Sequence, residues 1–380
     1  VGPKRLEPLL SWGKDRAGKS GRFSLRLKGM AEKVLLGMSG GVDSTVAGHL
    51  LREAGYEVHG LTLWLWEPRE PYTNPCCSVD GAALAARELG IPHEVVWAQG
   101  EFRRLVVEPA LAAYRRGITP NPCAFCNREV RFALLLREAE RRGIPWVATG
   151  HHARVLRNGK AKLLRGCDRE KDQSYFLFAL TQTELSRALF PVGHHTKAEI
   201  KELARKLNLT AARLPESQNL CFAPEGVAAL IPEAAPGPIY HVDGRCLGLH
   251  KGLHHYTVGQ RHGLGLSFPR PLYVVALDAA RNAVIVGPEE ALYSQGLRAR
   301  ELHWIAGEPP GARFQAEVQV RYRAVPVPAE VELCGDGARV RFVRPVRAVT
   351  PGQAAVFYQD AEVLGGGIIV GPWPDREKAG

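Results

Sequence analysis

Residues 39 to 44 read Ser-Gly-Gly-Val-Asp-Ser, and their flanks constrain the fold more than any other segment of the chain. Glu32-Lys33-Val34-Leu35-Leu36-Gly37-Met38 before them is an apolar run bounded by a glycine, and Thr45 to Gly55 after them has the pattern of a helix. The arrangement predicts strand, tight glycine turn, helix. In such a turn Gly40 and Gly41 bring backbone N–H groups close to an anion, and the helix adds roughly half a positive charge at its N-terminus. Ser39 and Ser44 can donate hydroxyls to the same anion. No lysine follows the glycines, so this is not the G-x-x-x-x-G-K-[ST] loop of P-loop NTPases. A glycine-rich turn before an ordinary helix is the plainer alternative.

Tyr56 to Trp66 reads as a second strand, 79 to 90 as a helix, His93 to Trp97 as a third strand, and Trp146 to Gly150 as another buried strand ending in glycine. Strands alternating with helices predict an α/β doubly wound parallel sheet, whose ligands bind beyond the carboxyl ends of the strands. Both the 39–44 turn and Gly150-His151-His152 would lie there. From about residue 226 the texture turns to Gly, Pro and short apolar alternations. The expected organisation is a basic extension over 1–29, the α/β domain over 30–225, a small loop-rich domain over 226–290, a β-barrel over 291–372 and a tail over 373–380. Runs of β type at Phe314–Tyr322, Ala329–Leu333, Ala338–Phe342, Ala354–Tyr358 and Leu364–Val370 support the barrel.

The net charge of +11 is uneven, because residues 1–29 carry eight Lys or Arg against two acids. That segment lacks the apolar core of a signal peptide and precedes Met30, which is the expected start; an RNA-contacting arm or a targeting segment are the alternatives. No apolar run reaches the ~18 residues of a membrane span. A cytoplasmic, membrane-free protein with reduced thiols is therefore expected. Of the eight cysteines, Cys123 and Cys126 stand out in Thr119-Pro120-Asn121-Pro122-Cys123-Ala124-Phe125-Cys126-Asn127-Arg128. Asn121 suits a helix N-cap and Pro122 its first position, which puts the two thiols on one face of the opening turn. A helix N-terminus with Arg128 nearby raises the thiolate fraction. Structural zinc is the competing account, although no second well-spaced pair accompanies them. Cys221, in Glu216-Ser217-Gln218-Asn219-Leu220-Cys221-Phe222, reads by itself as a small core residue. Cys76 and Cys77 have no assigned part.

The Ser39–Ser44 turn resembles the pyrophosphate loop of ATP pyrophosphatases. Taken in order, Gly37 to Ser44, Asn121-Pro122 before Cys126-Asn127, Thr149-Gly150-His151, Lys171-Asp172-Gln173-Ser174-Tyr175-Phe176-Leu177, Ser217 to Phe222, Thr257-Val258-Gly259-Gln260-Arg261 and Val320-Arg321-Tyr322-Arg323 resemble the bacterial tRNA-specific 2-thiouridylases over residues 30–370. That family places sulfur on C2 of the wobble uridine of tRNAs for Lys, Glu and Gln. The resemblance implies that Gly37, Met38, Ser39, Gly40, Gly41, Val42, Asp43 and Ser44, with Leu63 and Gly150, hold ATP, Asp43 organising Mg²⁺ and the leaving group. It implies that Asn121, Pro122 and Cys123 border the target base. Lys171, Asp172, Gln173, Arg321, Tyr322 and Gln353 would contact tRNA, with His151 beside it. Without the resemblance, Lys171 and Arg321 read as solvated charges and Tyr322 as core.

Cys126 matches the family's nucleophile and Cys221 its persulfide-bearing cysteine. The implied chemistry is adenylation of the C2 oxygen, attack by sulfur from a Cys221 persulfide and loss of AMP, with Cys126 either attacking the persulfide to release hydrosulfide or closing a disulfide with Cys221 after transfer, a disulfide that must then be reduced. A cysteine desulfurase or sulfur carrier is the implied donor. Many members carry Asp where this chain has Cys123. Cys123, Cys126 and Cys221 are thus also candidate ligands for three irons of a [4Fe–4S] cluster, a second route to the same product. Other ATP pyrophosphatases, such as lysidine synthetases, or a zinc-holding RNA-binding protein, are the rival classes.

Overall fold

The computed structural model describes residues 31–66, 78–215, 220–231 and 235–374. The basic extension, Cys76, Cys77, Ser217-Gln218-Asn219 and the tail from 375 lie outside these residues.

The strand, turn and helix expected around the glycines are β1 (Lys33–Gly37) and α1 (Val42–Glu53). They are followed by β2 (Glu57–Trp64), α2 (Val79–Leu89), β3 (His93–Trp97) and β4 (Trp146–Thr149). Helix α2 begins where the Ser78 hydroxyl accepts from Gly81 N at 3.0 Å and ends on Gly90 at φ 61, a left-handed stop. Next come β5 (Ala153–Arg157), β6 (Ala161–Arg165) and the short β7 (Ala188–Leu189).

Strands pair in parallel in the order β3-β2-β1-β4-β7. Successive residues feed opposite faces: Leu35, Leu61, Leu63 and Val147 enter one apolar cluster, and Val34, Leu36, Val58 and Ala148 the other. Each buried leucine contributes about 2 kcal/mol of transfer free energy. α1, α2 and the helix Lys197–Lys206 cover the second face. Two helical paths, Gln99 to Arg115 and Pro122 to Arg141, cover the first, and each contains a π-helical stretch, Arg103–Val107 and Cys126–Phe132.

The middle segment folds as β8 (Gly237–His241), β9 (Cys246–His250), β10 (Tyr273–Asp278) and β11 (Ala283–Gly287), ordered β10-β11-β8-β9 around Ile239, Val274, Val284 and Val286. The C-terminal strands are β12 (Tyr293–Trp304), β13 (Arg313–Gln319), β14 (Val327–Cys334), β15 (Gly337–Arg347), β16 (Ala354–Gln359) and β17 (Glu362–Pro372). Their order is β12-β15-β14-β13-β16-β17, and β12 pairs again with β17, which closes a barrel and removes its edges. β12 is absent from the runs read in the sequence. Gly296 interrupts its alternation at a bulge where a Cβ would sit 2.2 Å from Val340 O.

The β5–β6 hairpin leaves the first sheet and pairs with the barrel, Leu164 against Glu362. One continuous cluster holds Leu35, Cys126 and Leu135 together with Val356, Tyr358 and Val363 of the barrel. The α/β unit and the barrel therefore share a core. Among the described residues no helix is long and apolar enough to cross a membrane.

Candidate active site

Gly37 lies opposite Leu61 of β2 and Thr149 of β4. The loop after β1, Leu63 and Gly150 therefore meet at the carboxyl ends of adjacent strands. Strand order reverses between β1 and β4, where an open sheet leaves a crevice. Gly40 has φ 81, and a Cβ there would stand 2.8 Å from Ala82 N of α2. On Gly150 a Cβ would stand 2.6 Å from Ser44 N. Only glycine lets backbone approach backbone this closely.

Inside the loop, the Ser44 hydroxyl donates to Gly41 O at 3.0 Å and accepts from Ser39 N at 3.3 Å, with Ser39 Oγ 3.2 Å away. Gly41 occupies the N-cap position of α1 and supplies no side-chain cap. First-turn N–H groups of α1 are thus left without a side-chain cap beside Ser39 Oγ, a setting that fits a polyphosphate. A narrow cleft beside the loop is bounded by Gly37, Met38, Leu61, Leu63, Arg131 and Leu135.

Asp43, in the first turn of α1, receives Lys197 Nζ at 2.6 and 2.7 Å on its two oxygens and His152 Nε2 at 3.1 Å. Burial is the strongest influence on this carboxyl and pushes it up. The His152 hydrogen bond and the Lys197 charge together outweigh burial and hold it below the ordinary carboxylate range. Asp43 was expected to organise Mg²⁺; in this structure both its oxygens meet an ammonium. Among the described residues no group of three His, Cys, Asp or Glu side chains is arranged to hold a metal ion. Lys197 was missed from sequence, and His152, expected near the turn, was not expected to pair with Asp43. Thr196-Lys197-Ala198-Glu199 announces a capped helix, which the Thr196 and Glu199 capping box confirms, but not where that helix points. His151 sits against Thr149 Oγ1 at 2.7 Å and stacks on Phe132. Burial, then the Arg131 charge, pushes its pKa down to about 3, so the ring is neutral at pH 7.

Pro122 starts the thiol-bearing helix as expected, but Asn121 does not cap it. Asn121 is buried instead, with its side chain beside the Tyr175 hydroxyl. The shared-face expectation for the two thiols is also corrected: Cys123 is exposed and Cys126 buried. The α-helical turn Pro122–Phe125 gives way to the π-helical stretch at Cys126, which changes the direction of successive side chains. Arg128, expected to act on the thiols, engages Glu129 at 3.0 Å and His303 of β12.

Cys126 belongs to the large apolar cluster on the sheet's first face, and Cys221 packs against that same cluster. Phe222 anchors the Cys221 turn, its ring 6.0 Å from Phe102 and 6.2 Å from Trp66. Arg131, on the Cys126 helix, lines the cleft with Met38 and Leu63. The described parts of Cys123, Cys126 and Cys221 do not form a three-ligand cradle for iron, with Cys123 at the surface and Cys126 in the core.

Two of the residues expected to touch tRNA are turned to other work. Asp172 is buried: Oδ1 accepts from Gly166 N and Ser174 N at 3.0 Å, and Oδ2 from Ser174 Oγ at 2.9 Å and Arg165 Nη1 at 3.2 Å. Arg165 in turn lies 3.3 Å from the Tyr358 ring centroid. Asp172 therefore ties the 166–174 loop to the barrel, because both its oxygens are enclosed by donors. Gln353 donates through Nε2 to Thr119 O at 2.9 Å and Pro120 O at 3.1 Å, docking the turn that leads to Cys123. Gln173 exchanges hydrogen bonds with the His152 backbone, at 2.9 Å in each direction. Arg321 donates to Thr350 Oγ1 at 2.8 Å and Val258 O at 3.3 Å. Tyr322 is half-buried on Phe176 at 4.4 Å, and the exposed Arg323 lies 5.4 Å from its ring. The partly exposed Lys171 lies near Tyr322 as well, so two cations flank this aromatic side chain.

Three family profiles match consecutive segments: a tRNA methyl transferase HUP domain over 32–225, a tRNA methyl transferase PRC-barrel domain over 227–288, and an aminomethyltransferase beta-barrel domain over 294–369. The tRNA-specific 2-thiouridylase MnmA of Chloroflexus aggregans is 48% identical over 353 residues, covering 89% of this chain and 98% of the relative. The protein of the same name from Carboxydothermus hydrogenoformans is 46% identical over 356 residues, covering 89% and 97%. A solved 4-thiouridine synthetase in complex with RNA and ATP aligns over 50% of this chain and 45% of its own at 20% identity, with a TM-score of 0.33. At that identity and coverage of the curated relatives, the chain belongs to the tRNA-specific 2-thiouridylase family.

Proposed function

We propose that this enzyme replaces the C2 oxygen of the wobble uridine of tRNA with sulfur, using ATP and releasing AMP and pyrophosphate. The observation that carries the reading is the close approach at the sheet's switch point, where Gly150 meets the first turn of α1 backbone to backbone, next to a narrow cleft that Gly37 and Met38 line with Leu63 and Arg131 of the Cys126 helix. The substrates are tRNAs for Lys, Glu and Gln, and the reaction belongs in the cytoplasm.

A carbonyl oxygen is a poor leaving group, so O2 is first adenylated. Gly37 to Ser44 with Gly150 hold the nucleotide, and the α1 N-terminus and serine hydroxyls stabilise charge on the departing pyrophosphate. Mg²⁺ supplies further charge neutralisation when it comes with the phosphates. Wobble uridine lies in a single-stranded loop, where it can be splayed out toward Asn121, Pro122 and Cys123. Asn121, a buried amide beside Tyr175, is a polar group suited to a base oxygen. Lys171, Tyr322 and Arg321 receive the tRNA backbone and loop bases. Cys221 carries the terminal sulfur, loaded by a cysteine desulfurase or sulfur-carrier protein, and Cys126 takes part in thiol exchange that completes transfer. Both are thiols in this structure, and the disulfide between them is a transient of the cycle.

Mass spectrometry of nucleosides from tRNA incubated with the protein, ATP and a sulfur source tests the reading. A gain of one sulfur for oxygen at the wobble uridine is expected, and AMP formation without it would overturn the assignment. Cys221→Ser should retain tRNA-dependent pyrophosphate release and lose thiolation.

A further inference from the structure

The glycine loop has no lysine of its own, yet a lysine reaches it from a distant helix. Lys197 Nζ lies 2.6 and 2.7 Å from the two oxygens of Asp43, in the first turn of α1. The Lys197 side chain is 9% exposed and that of Asp43 29%, so the pair opens toward the crevice on the carboxylate side. The base of the lysine is fixed: Thr196 caps its helix, and the Lys197 amide donates to Asp168 Oδ2 at 2.9 Å. From that base the flexible four-carbon stem lets the ammonium choose among nearby anions.

A structural staple between two helices is the simpler account, and it is weak. Ile200 and Ala204 of the same helix are already fully buried in the α1 and α2 cluster. An ion pair in such a place stabilises little, because desolvation offsets its Coulomb energy. Its position matters more, at a helix end that lacks a side-chain cap and beside two hydroxyls.

We propose that Lys197 is the phosphate-directed cation of this loop, held by Asp43 until nucleotide arrives and then passed to a phosphate oxygen of ATP or pyrophosphate. The inference rests on the nucleotide reading of the loop. The ammonium adds a full charge to the helix's partial one where pyrophosphate charge develops. Asp43 keeps the buried ammonium paired before that.

Calorimetric titration of the full chain with pyrophosphate, and separately with ATP, tests it using Lys197→Met, Lys197→Arg and the double variant K197M/D43N. The double variant keeps the net charge of the pair at zero. If Lys197 touches phosphate, K197M/D43N binds pyrophosphate about tenfold or more weakly than the parent, as expected for a lost charge-assisted hydrogen bond, and K197R keeps most of the affinity. Parental affinity in the double variant overturns the proposal, since neutralising Asp43 would then be all that Lys197 does. Should the Met and Asn pair melt early, K197Q/D43N gives the same comparison with a hydrogen-bonding pair. Failure of the parent to bind either ligand overturns the nucleotide reading itself.

Discussion

Gly150→Ala is the sharpest perturbation of the crevice. A Cβ at 150 would lie 2.6 Å from Ser44 N, 2.7 Å from Asp43 C and 2.9 Å from Ser44 Cα. Ordinary contact needs about 3.5 Å, so the first turn of α1 and the end of β4 must separate by about 0.9 Å. All three atoms are backbone, so no rotamer change relieves the overlap. Overpacking of this kind costs about 1–3 kcal/mol of stability. The same shift moves Asp43, Ser44 and the uncapped N–H groups together, and a displacement near 1 Å in a catalytic arrangement costs about 100-fold in rate. We expect kcat/KM for ATP, read by tRNA-dependent pyrophosphate release, to fall about 100-fold, with urea unfolding showing the smaller stability loss. Gly37→Ala is the comparison: its Cβ would meet Leu135 Cδ1 at 3.2 Å, the end of a flexible side chain. That variant should lose less than about 1 kcal/mol. A folded Gly150→Ala with parental pyrophosphate release would refute the claim that close approach of β4 and α1 builds the nucleotide site.

Asp172→Ala leaves the buried Arg165 guanidinium without its carboxylate and should destabilise by about 3–5 kcal/mol in urea titrations, whereas Lys171→Ala should spare stability, weaken tRNA binding and lower the salt slope by about one. An unchanged melting profile for Asp172→Ala would count against the tie between loop and barrel. Gln353→Ala removes two hydrogen bonds that dock the turn before Cys123; thiolation should drop while pyrophosphate binding holds, and equal losses in both would refute a docking role. For pH, His151 has a folded pKa near 3 against an unfolded value of about 6.5, so the unfolded chain binds the extra proton in that window. Stability should therefore fall as pH drops from about 6.5 toward 3, and His151→Gln should reduce the slope by up to about 1.4 kcal/mol per pH unit, measured by urea unfolding across that range.

The nucleotide half of the molecule was legible because its signals are local. Gly40 and Gly150 mark places where backbone meets backbone, and Val34 to Leu36 feed both faces of a buried strand within a few residues. The barrel was legible except for β12, whose bulge at Gly296 breaks the alternation that marks a strand. Around the site the misses share one cause. Asp172, Gln353 and Arg128 look like exposed polar residues in a sequence, and their partners Arg165, the Thr119 carbonyl and His303 come from segments far along the chain.

The sequence by itself determined the parallel sheet, the glycine turn at the carboxyl end of its central strand and the presence of the thiols, since each follows from backbone preferences and side-chain chemistry over a few neighbouring positions. Tertiary structure alone decided that Lys197 and His152 converge on Asp43, that Cys126 is buried while Cys123 is exposed, and that Arg131 brings the thiol helix to the narrow cleft beside Gly37 and Met38. Such convergence depends on how helices pack across the sheet and how the barrel docks through a shared core, and packing energy is set by surfaces that meet only in the folded chain.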